Sequence, residues 1–298
     1  MNEIPRISYI DLKNNNSISI NMLKEALHAH GFFAIYDHNI DKELINNCYK
    51  IAKEFFELDI DIKNRHAYPN IGGARGYTPF GKETALGEIV PDLKEFWHHG
   101  PEVDSTYDSR INKNIQIKEI DNFNIIFDNL FSELNTLGIK LLESIAKTID
   151  LNENFFSSSV IKGNSLLRMI HYPPSDNKNI FRAREHCDIN FITLLIGANE
   201  KGLEIKSKDK SWIKVSANKD DIVCNIGDML QLVTSGNLKS TPHRVIKYTD
   251  EKSSSRYSIP FFLHPSPDTI LKSIYDDSDK GILAHDFLEE RLKAIKLY

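Results

Sequence analysis

The chain has 298 residues, of which 41% are hydrophobic and 27% are charged, and its formal net charge at neutral pH is -5. This length and composition predict a folded protein with a sizeable core, and we expect residues 1–298 to form a single domain. Lysines and arginines are scattered among acidic residues and supply no basic field, which excludes nucleic acid as an expected partner.

The three cysteines, Cys48, Cys187 and Cys224, are far apart in the sequence and odd in number. Such a set favours reduced thiols over a disulfide framework, which indicates a cytoplasmic protein. The N-terminus shows no basic segment followed by an apolar run, and no uncharged apolar stretch reaches about 18 residues. We therefore expect neither a secretory signal nor a contact with membranes.

The first part of the chain reads as short helices and strands. Ile7–Leu12 alternates as a strand does, and Phe32–Tyr36 is a second predicted strand. Between them, apolar residues at helical spacing predict a helix over Ile20–His30. Asp41 is a favourable N-cap residue and predicts that another helix begins there.

Residues 65–100 lie within an N-terminal helical and loop region that spans residues 1–120. They carry six glycines and three prolines without sustained periodicity. We expect an ordered loop or hairpin system that closes over a substrate, and we treat it as a candidate lid. Its candidates for substrate contact are Arg75, Tyr77, Glu83, His98 and His99. Loop packing is the alternative explanation for each of them.

Residues 121–151 form the longest helical pattern. Apolar residues recur every three or four positions, and charged residues such as Asp128 and Lys140 occupy the opposite face. We expect a support helix whose apolar face packs on a sheet. Residues 281–297 predict a C-terminal amphipathic helix that docks on the body or on a partner.

From residue 163 to residue 265 the pattern changes to short β-branched or aromatic segments separated by turn residues. The predicted strands are Leu166–Tyr172, Asn190–Ile196, Leu203–Lys206, Trp212–Val215, Ile222–Asn225, Leu230–Val233, Arg244–Tyr248 and Tyr257–Leu263. Short strands at this spacing predict a double-sheet jelly-roll core, so the expected fold class is mainly β with flanking α-helices.

His186 and Asp188 are the centre of this predicted core. On an extended strand alternate side chains point the same way, so the imidazole and the carboxylate face one point while Cys187 faces away. His243 follows 55 residues after Asp188, which is enough chain to return beside the pair. Two imidazoles and one carboxylate form the facial set that holds a non-haem ferrous ion and leaves coordination positions open. A closed zinc site is disfavoured, because no fourth His or Cys ligand lies at short spacing.

Arg256 and Ser258 form a second pair with a spacing of two, and Arg256 lies 13 residues after His243. A guanidinium and a hydroxyl on one strand face suit a carboxylate, to which an arginine donates two parallel hydrogen bonds. This pair is a candidate anchor for a dicarboxylic co-substrate that chelates the metal.

A longer series of motifs surrounds these residues. In the core they are His186-Cys187-Asp188, Asn225-Ile226-Gly227-Asp228, Thr234-Ser235-Gly236, Ser240-Thr241-Pro242-His243-Arg244-Val245 and Arg256-Tyr257-Ser258-Ile259-Pro260-Phe261-Phe262. In the N-terminal region they are Ile4-Pro5, Ile10-Asp11-Leu12, Gly31-Phe32-Phe33, Gly76-Tyr77-Thr78-Pro79-Phe80-Gly81-Lys82-Glu83 and Lys94-Glu95-Phe96-Trp97. This order resembles the isopenicillin-N-synthase-like 2-oxoglutarate/iron(II) dioxygenases over nearly the whole chain.

The resemblance implies a double-stranded β-helix with a cupin-like core, flanking helices and bound Fe(II). The implied metal ligands and catalytic residues are His186, Asp188 and His243. The residues implied to bind the distal carboxylate of 2-oxoglutarate are Arg256, Ser258 and Tyr172. The implied reaction consumes O2 and 2-oxoglutarate, releases succinate and CO2, and hydroxylates or desaturates a small molecule, with ascorbate as a candidate reductant.

Several alternatives stay open from the sequence. The Arg-x-Ser pair also serves family members that do not use 2-oxoglutarate, so an isopenicillin-N-synthase-type ferrous oxidase is one alternative, and a non-catalytic metal-binding or sensing module is another. Tyr172 also fits a core aromatic at a strand end, and Arg184 fits either an acidic ligand or solvent. The sequence does not predict the primary substrate, the role of Glu83 or the oligomeric state.

Overall fold

The computed structural model describes residues 3–71, 73–84, 90–174, 181–196, 202–247 and 254–295. Its strands are β1 Arg6–Ser8, β2 Phe32–Tyr36, β3 Gly76–Thr78, β4 Glu95–His99, β5 Leu166–Tyr172, β6 Phe181–His186, β7 Ile192–Ile196, β8 Leu203–Lys206, β9 Trp212–Lys214, β10 Ile222–Ile226, β11 His243–Ile246, β12 Arg256–Leu263, β13 Ile270–Leu271 and β14 Ile282–Leu283. Its helices are α1 Tyr9–Lys13, α2 Ser17–Ala29, α3 Lys42–Phe56, α4 Ile60–Arg65, α5 Phe123–Thr148, α6 Asn154–Ser157, α7 Asp228–Val233 and α8 Ala284–Ala294.

Two packed sheets form the centre of the described part of the chain. The large sheet has the strand order β1-β2-β10-β7-β12-β5-β4-β3, and the small sheet has the order β6-β11-β8-β9. Neighbouring strands are antiparallel except β1 and β2, which are parallel. Phe32 and Val223 of the large sheet pack with Ala183 and Val245 of the small sheet in one buried apolar cluster. The predicted double-sheet, mainly β core is confirmed.

Alternation along the strands gives the large sheet two different faces, because successive side chains of a strand point to opposite sides. On β12, Phe261 and Leu263 belong to the large apolar core shared with α5. Pro260 and Phe262 line a cavity on the other side of the sheet. The sheet therefore separates a helix-covered core from a cavity that faces the small sheet.

The long helix α5 covers the core face of the large sheet. The Phe131 ring lies edge-on to the Phe261 ring, with centroids 5.1 Å apart. Gly138 permits close approach, since a Cβ at this position would lie 3.0 Å from a methyl carbon of Leu263. The predicted support helix is confirmed, with its ends two and three residues inside the expected range of 121–151. No helix among the described residues is both long and apolar enough to cross a bilayer.

Two predicted strands are wrong. Only the beginning of Ile7–Leu12 is extended, because the Ser8 hydroxyl accepts a hydrogen bond from the Asp11 amide and caps the short helix α1. Leu230–Val233 lies inside α7, where the Thr234 amide donates to the Leu230 carbonyl oxygen at 3.0 Å. A short apolar run does not distinguish the strand period from the helical one.

The candidate lid is partly sheet and partly loop. Its β3 and β4 pair antiparallel at the edge of the large sheet. Residues 72 and 85–89 lie outside the described part. The predicted C-terminal helix is α8, and Leu292 and Ile295 pack on an apolar cluster of the large sheet, so this segment docks on the body.

Gly31 ends α2 in a conformation that favours glycine. Its φ is +64°, and a Cβ there would lie 2.3 Å from the Lys239 carbonyl oxygen. We expect Gly31→Ala to cost about 1–2 kcal/mol for the left-handed backbone and about 1–3 kcal/mol more for the steric conflict.

Gly236→Ala is the matched control, because Gly236 has a φ of +76° and no heavy atom within 4 Å of an added Cβ. Urea unfolding of both variants measures the two free energies. Equal losses would contradict the close approach of Gly31 to Lys239.

Candidate metal and co-substrate site

Two strands of the small sheet bring the two imidazoles together. His186 is the last residue of β6, His243 is the first residue of β11, and the two residues are direct partners in the antiparallel pairing. Their ring centroids lie 4.3 Å apart. Cross-strand partners have their Cβ atoms within about 5.5 Å of each other, so sheet pairing alone sets this distance.

Asp188 joins the two histidines from a turn. The strand ends at His186, so the expected regular strand through Asp188 is wrong, and the Asp188 carbonyl oxygen accepts from the Asp228 amide at 2.7 Å. One ligand atom from each of the three side chains lies within 4.8 Å of the other two. The Cys187 thiol is not part of this group and contacts the Ser240 carbonyl oxygen at 3.8 Å.

The Asp188 carboxylate is held through one of its oxygens. Oδ2 accepts from Thr193 Oγ1 at 2.6 Å and from Asn225 Nδ2 at 2.8 Å. Oδ1 lies 3.7 Å from His243 Nε2. Burial raises the pKa of Asp188, but the two imidazoles and the two hydrogen bonds outweigh it and hold the pKa below its usual value. The group is therefore an ionised carboxylate with one oxygen directed at the histidines.

Backbone carbonyls orient both histidine rings. His186 Nδ1 donates to the Arg184 carbonyl oxygen at 2.7 Å, and His243 Nδ1 donates to the Thr241 carbonyl oxygen at 3.2 Å. A metal ligand binds through a bare Nε2, and a hydrogen bond donated by Nδ1 favours that tautomer. Burial lowers the pKa of His186 to about 4, which keeps this ring neutral at pH 7. Two imidazoles oriented in this way and one ionised carboxylate fit a ferrous ion.

The three side chains line a cavity of about 530 Å³ between the sheets. A volume of this size is typical of small-molecule sites. Leu195 and Phe262 contribute apolar wall, and Leu288 and Leu292 of α8 close another side. The ion pair between Arg291 of α8 and Asp228 fixes the helix beside the metal ligands.

The predicted co-substrate residues lie together along β5 and β12. Tyr172 and Arg256 are cross-strand partners, and the guanidinium carbon lies 5.4 Å from the centroid of the Tyr172 ring. Tyr172 and Ser258 line the cavity. Arg256 is 2% exposed and lies beside Tyr172 without lining the cavity itself.

Of the five lid residues predicted to contact substrate, three line the cavity and two do not. Arg75, Glu83 and His98 line the cavity. Tyr77 and His99 face the opposite side, where Tyr77 donates to Glu95 and His99 lies 2.7 Å from Asp128. The loop-packing alternative therefore accounts for these last two residues.

A buried charge network occupies the cavity wall next to the lid. Glu83 contacts Lys94 at 3.1 Å and Arg168 at 3.0 Å, and Lys94 also contacts Asp92 at 3.2 Å. Arg184 binds Asp92 at 2.8 Å, so it supports the wall without lining the cavity.

Sequence reasoning gave no role to Lys94 or Asp92, nor to Thr193 and Asn225, which orient Asp188. Asn225 and Lys94 both lie in the motifs that carry the family resemblance. The position of Asn225 on β10, or of Lys94 just before β4, does not show which residue it contacts in the folded chain.

Two family models match the chain. The model of the 2OG-Fe(II) oxygenase superfamily matches residues 163–265. The model described as non-haem dioxygenase in morphine synthesis N-terminal matches residues 4–119. The first range coincides with the predicted β core, and the second covers almost all of the N-terminal region.

Curated relatives match along most of their length. Proline hydroxylase buaE of Petromyces alliaceus is 30% identical over 293 residues, which is 91% of this chain and 90% of the relative. The 2-oxoglutarate-dependent dioxygenase citB of Monascus ruber is 28% identical over 296 residues, with coverages of 91% and 87%.

Solved structures share the whole architecture. A Caulobacter crescentus structure assigned to the 2OG-Fe(II) oxygenase family is 38% identical, with a TM-score of 0.90 and coverages of 98% of this chain and 99% of that one. A full-length Neurospora crassa protein in complex with alpha-KG and thymine is 26% identical, with a TM-score of 0.85 and coverages of 98% and 96%.

The Glu83 carboxylate provides a test of the charge network. Burial raises the pKa of Glu83, but Arg168 and Lys94 outweigh it and lower the pKa to about 2, below the unfolded value of about 4.5. Ionised Glu83 therefore stabilises the fold above about pH 4.5, and this contribution is lost as the pH falls toward 2. We expect Glu83→Gln to lower the free energy of unfolding by about 2–4 kcal/mol at pH 7 and by progressively less below pH 4.5.

Glu57→Gln is the control, since Glu57 is 62% exposed and its ion pair with Lys53 spans 3.8 Å. We expect this control to change stability by less than about 0.5 kcal/mol. Urea unfolding at a series of pH values measures both variants. A Glu83→Gln loss that does not depend on pH would contradict the network.

Proposed function

The chain belongs to the 2-oxoglutarate–Fe(II) oxygenase superfamily, and we propose that it is a 2-oxoglutarate-dependent dioxygenase that hydroxylates or desaturates a small molecule. The relatives support the enzyme class and the cofactors, Fe(II), 2-oxoglutarate and O2. The family and the double-stranded β-helix predicted from the sequence are confirmed. The observation that carries the proposal is the convergence of two imidazoles and one carboxylate on one point of the cavity.

We assign the metal to His186, Asp188 and His243. Hydrogen bonds occupy Nδ1 of both histidines and Oδ2 of Asp188. The two Nε2 atoms and Asp188 Oδ1 are therefore available to the ion. A ferrous ion held by three protein ligands keeps coordination positions open for the co-substrates and supplies the redox chemistry.

We assign the distal carboxylate of 2-oxoglutarate to the cavity end that Tyr172 and Ser258 line and beside which Arg256 lies. The pairing of Tyr172 with Arg256 supports this assignment, because it places the guanidinium over the Tyr172 ring at the end of β5. Arginine gives a carboxylate two parallel charge-assisted hydrogen bonds.

The protein residues exclude water and orient the reactants. The C-terminal helix closes one side of the cavity, and the Thr84 amide donates to the Ile295 carbonyl oxygen at 3.1 Å, which joins the lid to that helix. Residues of both matched ranges, such as His98 and His243, line this one cavity, which supports the proposal of a single catalytic domain.

The substrate class follows from the cavity and from the relatives. A cavity of about 530 Å³ fits a small molecule, and the relatives include a proline hydroxylase and a Neurospora crassa protein bound to thymine. All three cysteines are free, which supports the predicted cytoplasmic location. Ascorbate as reductant stays a prediction.

Oxygen uptake and succinate release test the proposed function. With Fe(II) supplied, we expect oxygen uptake that requires 2-oxoglutarate and is matched by succinate. His186→Ala lowers it by about 100-fold or more, because a metal ligand is lost. His28→Ala, an exposed histidine on α2, is the control and leaves the rate unchanged.

Two outcomes contradict the proposal. Uptake without succinate would favour the cofactor-free ferrous oxidase. Binding of iron and 2-oxoglutarate without consumption of either oxygen or 2-oxoglutarate would favour the sensing module.

Arg256→Met tests the co-substrate anchor. We expect the KM for 2-oxoglutarate to rise about tenfold or more, with the affinity for the metal unchanged, because only the charge-assisted hydrogen bonds are removed. Steady-state kinetics at saturating Fe(II) measure this value. Arg110→Met, at an exposed ion pair, is the control. An unchanged KM in Arg256→Met combined with a raised KM in Lys94→Met would move the anchor to Lys94.

A further inference from the structure

One buried cation in the cavity has no acidic partner among the described residues. The Arg75 side chain is 2% exposed and lines the cavity. Nη1 donates to the Ala74 carbonyl oxygen at 2.6 Å, and Nη2 donates to Asn164 Oδ1 at 3.2 Å. Nε is buried without an acceptor. Both hydrogen-bond partners are neutral, so no group in the described part of the chain compensates the guanidinium charge.

The other cations of the cavity wall differ from Arg75 in this respect. Lys94 and Arg168 share the Glu83 carboxylate, and Lys94 also contacts Asp92. A buried charge without a partner is costly, whereas a buried charge in a hydrogen-bonded pair is largely compensated. Burial accordingly lowers the pKa of Arg75 to about 10.

The two histidines near Arg75 are neutral, so they neither add to its charge nor compensate it. His98 Nδ1 donates to the Gly73 carbonyl oxygen and its Nε2 accepts from Arg168, so the ring is neutral. His264 Nδ1 donates to the Phe262 carbonyl oxygen, and burial lowers the pKa of His264 to about 4. This end of the cavity is therefore positive overall.

The lack of a side chain at Gly100 makes room for the Arg75 guanidinium. A Cβ on Gly100 would lie 2.2 Å from Cζ, Nε and Nη2 of Arg75, so only a glycine permits the observed position. The side chain is thus held by two neutral acceptors and one close backbone contact, which presents a fixed cation to the cavity.

Arg75 and the proposed co-substrate anchor lie near opposite ends of strand β5. Asn164, which binds Arg75, precedes β5 by two residues, whereas Tyr172 ends β5 beside Arg256. At about 3.3 Å per residue, β5 alone spans roughly 20 Å from Leu166 to Tyr172. One dicarboxylic acid of five carbons does not reach both ends, so Arg75 is available to a second ligand.

We propose that Arg75 forms an anion subsite that binds a carboxylate of the primary substrate, separate from the 2-oxoglutarate anchor. This inference rests on the proposed function, because it assigns the second ligand of the cavity as the molecule that is oxidised. A carboxylate matches the planar guanidinium and compensates its charge, whereas a neutral substrate leaves the charge buried and unpaired. Among small molecules, amino acids and other monocarboxylic acids are therefore favoured over uncharged bases such as thymine.

Matched acid and amide probes test the subsite by calorimetry. The protein is loaded with Fe(II) and saturating 2-oxoglutarate under argon and titrated with L-proline and L-prolinamide, with phenylacetate and phenylacetamide, and with thymine. We expect the acid of at least one pair to bind about 10–100-fold more tightly than its amide, as a hydrogen-bonded charge pair predicts. Arg75→Met removes this preference, and the control Arg110→Met keeps it.

Arg75→Lys retains the charge and is expected to keep part of the preference, so it replaces Arg75→Met in the comparison with wild type if the methionine variant does not fold. In that case a lysine variant with the full wild-type preference overturns the subsite as proposed, because the carboxylate is then not held by the planar guanidinium of Arg75. Equal binding of acids and amides, no binding of any acid, a preference that persists in Arg75→Met, or weaker binding of 2-oxoglutarate in Arg75→Met also overturns it.

The same titrations without metal and 2-oxoglutarate separate the two proposals. An acid preference that depends on Arg75 in a protein that never forms succinate supports the subsite and contradicts the proposed function. Intact succinate formation without an Arg75-dependent preference contradicts the subsite alone.

Discussion

The pairing of β6 with β11 is the interaction on which the site depends. It sets His186 opposite His243, and the turn after β6 then returns Asp188 to the same point. Thr193 of β7 and Asn225 of β10 hold that carboxylate from the large sheet. The candidate metal site therefore joins the two sheets, and any shift of one sheet against the other would separate the three ligands.

The same geometry defines the cavity. Because strand alternation sends every second side chain of β5 and β12 away from α5, one face of the large sheet becomes the cavity wall. Charged residues on this wall are compensated by each other next to the lid, where Glu83 and Lys94 meet. Arg75 is the exception among the described residues, and it gives the cavity a positive end far from Arg256 along β5.

Much of this structure could be predicted from the sequence, because the long apolar periodicity of α5 and the alternating segments from Leu166 onward have few alternative explanations. The ligand trio was recognisable from its order along the chain, although Asp188 lies in a turn instead of a strand. Leu230–Val233 was misassigned because four apolar-rich residues fit both periods. Partners such as Thr193 of Asp188, or the missing acid at Arg75, depend on contacts between distant segments, which spacing does not encode.

The central claim is that His186, Asp188 and His243 bind one ferrous ion. Anomalous diffraction at the iron absorption edge, from crystals grown without oxygen in Fe(II) and 2-oxoglutarate, tests it most directly. We expect one strong iron peak within bonding distance, about 2.0–2.2 Å, of both Nε2 atoms and of an Asp188 oxygen. A peak at another place, or one bonded to fewer than these three side chains, would contradict it.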